Sequence, residues 1–160
     1  MKRTILFVLI CLVASAAFAF SSAPGSNKAP DFKLRDLAGK DVSLKSFQGK
    51  TVVLEFFQTT CPACREEMPQ LNSVYKKLRS KELEILGISI REYAHYVSSF
   101  VDENKIVFPV LLDERGDTAN AYKVRFIPSI FIVDKTGKIV FRSHYLSAGD
   151  MEREIKKAVK

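Results

Sequence analysis

Tryptophan is absent from the 160 residues, histidine occurs twice and cysteine only three times. So few cysteines cannot build a disulfide-stapled scaffold. No uninterrupted apolar run reaches the roughly 18 residues of a membrane span, so none is expected in a mature chain. Internal repeats and low-complexity segments are missing as well. Basic residues outnumber acidic ones, 25 to 18, for a net charge of +7. The lysines are nevertheless scattered, with no basic stripe interleaved with aromatics, so no nucleic acid partner is expected.

What is present begins with a leader. Lys2 and Arg3 precede an apolar run over residues 5–14, and Ala17-Phe18-Ala19 supplies a small-x-small cleavage pattern. Residues 1–19 therefore read as a signal peptide, the alternative being an uncleaved anchor. Cys11 falls inside this segment, and Ile10 stands where a lipoprotein signal needs a small residue. Residues 20–30 are small, polar and proline-bearing, which predicts a flexible linker. Residues 31–160 have the length of one compact domain. The expected location is the periplasm or extracytoplasmic space, with membrane anchorage if the leader is retained. Cys61 and Cys64 then remain as the only cysteines, in an oxidising compartment. The loop they could close is too short to constrain an unfolded chain, so their use is chemical.

The pair stands where a strand gives way to a helix. Residues 51–57 form a β-branched and aromatic run, interrupted only by Glu55. After it, Cys64, Met68, Leu71, Tyr75 and Leu78 recur at steps of four and three, one face of a helix. Pro62 suits the first helical turn, while Pro69 inside the helix predicts a bend. Before this unit, residues 31–34 and 41–44 flank a glycine-containing break and predict a hairpin. Beyond it, residues 84–90 read as a buried strand and residues 96–101 as a short helix ending near Asn104. Residues 107–112 read as a strand that Pro109 pushes to a sheet edge or bulge. Residues 118–123 are a brief helical turn, 129–133 and 138–141 a hairpin, and Ser147 to Asp150 a capping box for the last helix. One α/β domain with a mixed sheet follows.

The residues suggest roles. Unpaired N–H groups at a helix mouth favour a thiolate, so Cys61 is the expected nucleophile. Cys64, on the apolar stripe, is the expected resolving thiol. Glu55 in an apolar strand should hold its proton and suits proton exchange with Cys64; the alternative is a strand-end glutamate reaching solvent. Two thiols at this spacing could also grip a metal.

Taken in order, these features resemble the thioredoxin superfamily, and within it the exported TlpA/ResA-like thiol-disulfide oxidoreductases. The resemblance rests on Ala29-Pro30-Asp31-Phe32, the Cys-x-x-Cys after a strand, Pro69 eight residues after Cys61, and Ile127-Pro128 before the last hairpin. It implies a three-layer α/β fold with a central mixed β-sheet, an N-terminal β-hairpin and a strand-helix insertion near residues 107–123. It implies further that Cys61 and Cys64 form a redox disulfide and that Pro128 is cis. Ile127 and Pro128 would then receive an extended substrate segment, and Glu67 would tune the cysteines, although a solvated Glu67 is the bland alternative. No cofactor and no metal are implied. Expected partners are disulfide-bearing exported proteins such as apocytochrome c and a membrane thiol electron donor, with the chain itself a monomer. Two residues depart from the family pattern: Thr60 stands where a tryptophan is usual, and Glu55 where that branch commonly has asparagine.

Two rival functions compete with this reading. A copper chaperone could use Cys61, Cys64 and His144, but related carriers space their cysteines four apart. A thiol peroxidase would need a proline and a threonine where Leu54 and Gln58 stand. A c-type haem attachment fails because Arg65 follows Cys64.

Overall fold

The computed structural model describes residues 27–160. The expected signal peptide at 1–19 and the linker over 20–26 lie outside the described residues. The end of that linker departs from expectation, because residues 27–30 join the domain. Ile139 N–H donates to the Asn27 carbonyl, Ala29 N–H to that of Gly137, and Tyr122 Oη–H to that of Pro30. Ala29 is buried as well. Small and proline-rich composition predicted mobility there, but backbone pairing along a hairpin ignores side-chain composition.

Seven strands form one sheet: β1 (Lys33–Asp36), β2 (Asp41–Ser43), β3 (Thr51–Phe57), β4 (Leu83–Ile90), β5 (Val110–Asp113), β6 (Ser129–Val133) and β7 (Ile139–Ser143). Their spatial order is β2-β1-β5-β4-β3-β6-β7. The central β5-β4-β3 pairings are parallel, and the two hairpins flank them in antiparallel fashion. Among the described residues four α-helices accompany it, α1 (Pro62–Leu78), α2 (Ala94–Glu103), α3 (Asp117–Ala121) and α4 (Ala148–Val159), with a 3-10 turn over Leu44–Phe47. Ser147 caps α4 by accepting a hydrogen bond from Asp150 N–H at 3.3 Å, as its spacing predicted.

The alternation of β3 divides the core. Val53 and Phe57 face one way, packing with Cys64, Met68 and Leu71 of α1, Val97 and Phe100 of α2, and Met151 and Ile155 of α4. Val52, Leu54 and Phe56 face the other way, toward Phe32, Ala119 and Tyr122. By the same two-residue period Glu55 belongs to the first face, the one covered by α1.

One local expectation changes. β5 is an interior strand between β1 and β4 rather than an edge. Pro109 is tolerated because it precedes the paired residues and contributes only its carbonyl, which accepts from Gly87 N–H at 2.9 Å. The helix α1 runs on without interruption through Pro69. Asn72, buried on α1, fastens the loop before β5: its Nδ2 donates to the Lys105 carbonyl at 2.8 Å, and its Oδ1 accepts from Val107 N–H at 2.9 Å. Replacing Asn72 by alanine orphans both backbone groups and should cost about 1–3 kcal/mol in urea unfolding. A loss below about 0.5 kcal/mol would show that the loop repairs both bonds itself.

Candidate active site

The topology gathers three distant segments at one end of the sheet. β3 and β4 run parallel, so residues 58–61 and 91–92 leave the sheet side by side. β6 runs antiparallel to β3 with Ser129 opposite Phe56, which places Ile127 and Pro128 beside the segment leading to Cys61. Ligands of open α/β sheets gather at the carboxyl ends of the parallel strands, where this site lies.

Cys61 is the N-cap of α1 and is half-buried. Its Sγ accepts a hydrogen bond from Cys64 N–H at 3.3 Å and faces the Ile127 carbonyl at 3.8 Å. Cys64 is fully buried one turn in, and both thiols are free. Burial pushes the Cys64 thiol far up, with the hydrogen bond to Cys61 adding to the effect and a backbone hydrogen bond at Gln58 opposing it. Cys64 therefore keeps its proton until a base removes it. The Ile127–Pro128 peptide is cis.

Glu55 is wholly inaccessible, and neither carboxyl oxygen finds a hydrogen-bond donor. The solvent-reaching alternative for this residue is thus excluded. Glu67 is equally buried, on the α1 face that also carries Cys64 and Met68, so it does not point into solvent. Leu146 N–H holds its Oε1 at 2.6 Å, while its Oε2 is unpaired. One proton held by the pair lets Glu55 donate to an ionised Glu67, which two carboxylates cannot do for each other. Burial raises Glu55 well above the usual carboxylate range, with the Glu67 charge next in importance. Burial also raises Glu67, against the opposing pull of Leu146 N–H and Glu55.

Glu92 is a residue that sequence reasoning missed. Its carboxylate accepts from Thr59 N–H at 3.0 Å, Thr59 Oγ1 at 2.6 Å and Ser89 Oγ at 2.7 Å, bracing the loop before Cys61. Its place just past the end of a parallel strand was the available signal. Arg65 reinforces the same loop by donating to the Thr59 carbonyl at 3.0 Å while its guanidinium lies over the Phe100 ring. Ser129 Oγ donates to the Phe126 carbonyl at 2.7 Å and meets His144 Nδ1 at 3.2 Å, bracing the loop that carries Pro128. His144 is exposed and engaged there. Among the described residues no group of three or more histidine, cysteine or acidic side chains is placed to hold a metal.

A carboxyl with a raised folded pKa binds its proton more tightly folded than unfolded. The stability it contributes is complete below its ordinary value near 4.5 and is lost as pH rises through the folded value. Glu55→Gln should therefore raise the thermal midpoint relative to the parent protein by an increasing margin from about pH 5 to about pH 8. Parallel melting curves across that range would mean that Glu55 is not held protonated.

Known proteins resemble this chain in sequence and fold. The AhpC/TSA family model matches residues 26–142. The thiol-disulfide oxidoreductase ResA of Bacillus cereus is 36% identical over 150 residues, covering 87% of each chain. The thioredoxin domain of a thiol-disulfide oxidoreductase from Bacteroides vulgatus superimposes with a TM-score of 0.77 at 30% identity, over 86% of this chain and all of that one. A thiol:disulfide interchange protein of the thioredoxin family from Chlorobium tepidum gives a TM-score of 0.77 at 27% identity, over 84% of this chain and 97% of that one.

Proposed function

The chain belongs to the AhpC/TSA family and is a thiol-disulfide oxidoreductase of the ResA type, and from that premise we propose that Cys61 and Cys64 are its redox pair and that it reduces disulfides of exported proteins such as apocytochrome c. The observation that carries the reading is the asymmetry of the pair: one thiol at a helix mouth, the other sealed near two buried carboxyls.

The Cys61 thiolate attacks one sulfur of the substrate disulfide, forming a mixed disulfide while the second substrate sulfur leaves as a thiolate and takes a proton. Cys64 then yields its proton to the adjacent carboxyl pair, and its sulfur attacks Cys61 Sγ. The bond to the substrate breaks and its remaining sulfur leaves as a thiolate. Two electrons have passed to the substrate, and Cys61–Cys64 is the oxidised product. A membrane thiol donor returns the electrons by the same exchange in reverse. In this scheme the pair begins with one proton: Glu55 passes its own to the ionised Glu67 as it takes the one from Cys64, and Ile127 and Pro128 border the approach to Cys61.

Cys61→Ser should abolish exchange, whereas Cys64→Ser should accumulate mixed disulfides visible by mass on non-reducing gels. Trapping by Cys61→Ser instead would exchange the two roles. Equilibration with glutathione redox buffers reads the direction. A potential near the roughly −120 mV of strong oxidants would overturn the reductase reading, and one nearer −270 mV supports it. Glu55→Gln should slow resolution of the mixed disulfide, and its pH–rate profile should lose the limb belonging to the carboxyl pair. A profile identical to that of the parent protein would take Glu55 out of the proton path.

A further inference from the structure

Immediately after β4 the backbone turns sharply at Arg91, whose φ of 57° is a left-handed conformation that residues with a Cβ adopt only when the surroundings impose it. The turn lays the Arg91 side chain against Gly116. A Cβ on Gly116 would lie 2.6 Å from Arg91 Nε, so any larger residue there would push the guanidinium aside, and the φ of 78° at Gly116 itself favours glycine. Arg91 Nε also donates to the Arg115 carbonyl at 3.3 Å. The guanidinium is thereby fixed in the wall of a cleft of about 440 Å³, whose other walls include Gln58, Asn120, Arg125, Phe126 and Ile127.

The charge of this cleft is one-sided. No acidic side chain lines it. Among the described residues Arg91 and Arg125 hold no carboxylate, a state they share with Arg65, Arg79 and Arg142, whereas Arg35, Arg115 and Arg153 each hold one. Glu92, the acidic neighbour of Arg91 in sequence, is turned away and committed to Thr59 and Ser89. Phe126, 68% exposed, adds an apolar wall beside the two cations. The cleft reaches the nucleophile through Ile127, whose carbonyl is 3.8 Å from Cys61 Sγ.

We infer that this cleft selects substrates, binding an aspartate or glutamate side chain that lies within a few residues of the cysteine attacked by Cys61. A carboxylate would pair with the Arg91 and Arg125 guanidiniums while its methylenes pack on Phe126. The inference rests on the reading of Cys61 as the nucleophile toward protein disulfides.

Two disulfide-looped peptides test it, both amidated at the C-terminus so that only side chains carry carboxylates. They differ in having glutamate or lysine at the positions two and three residues from the reactive cysteine. The reduced protein should reduce the glutamate peptide about tenfold faster at about 50 mM salt, with the ratio shrinking as salt rises. In Arg91→Gln/Arg125→Gln the ratio should fall below about twofold. Lys40→Gln/Lys81→Gln removes the same charge at exposed sites away from the cleft and should keep the parent ratio. Equal rates for the two peptides in the parent protein would overturn the inference while leaving disulfide reduction intact. A ratio that falls equally in the lysine variant would assign the preference to net charge and overturn it too. Failure to reduce either peptide, with no mixed disulfide in Cys64→Ser, would bring down the reading on which it rests.

Discussion

A carboxyl group sealed in an interior strand of a sheet, with no donor for either oxygen, sets the terms for everything around it. An ionised Glu55 would be too costly to desolvate, so the folded domain keeps it neutral and close to a second buried carboxyl on α1. A carboxyl pair holding one proton near a buried thiol is a proton store with room for a second, close to the one sulfur that cannot ionise unaided. The cost to stability at neutral pH and the capacity to move a proton have the same physical origin.

Around that store the fold separates exposure from reserve. Cys61 ends the loop after β3 and meets the surface, while the first turn of α1 carries Cys64 into the apolar layer formed with α2 and α4. Glu92 from the end of β4 and Arg65 from α1 both grip Thr59, so the loop carrying Cys61 is held from two sides. The loop before β6 closes the third side through Ile127. Each brace comes from a different segment, joined by a sheet order that places β4 and β6 on either side of β3.

Much of this was legible in the chain because it depends on local rules. The run at 51–57, the step-of-four-and-three stripe from Cys64 to Leu78 and the cap at Ser147 follow from periodicity and capping, and the structure reproduces them. Glu55 stood out as the one ionisable residue in an apolar strand. Glu67 did not, since a glutamate on a helix flank satisfies the same local pattern whether it meets water or Leu146 N–H. Pro109 misled for the reverse reason: a local rule about missing donors was sound, but the residue lies one position outside the paired segment.

The sequence by itself determined the Cys-x-x-Cys pair, its place between a strand and a helix, the burial of one cysteine on the helix stripe and the mixed α/β architecture. These rest on residue spacing, which acts within a few turns or strand residues. Only the tertiary structure decided that Glu67 is buried beside Glu55, that Glu92 supports the loop before Cys61, and that Arg91 is locked against Gly116 in a cation-lined cleft. Each of these is a contact between segments brought together by strand order. A side chain's partner across the sheet depends on the packing of the whole domain rather than on its neighbours in the chain.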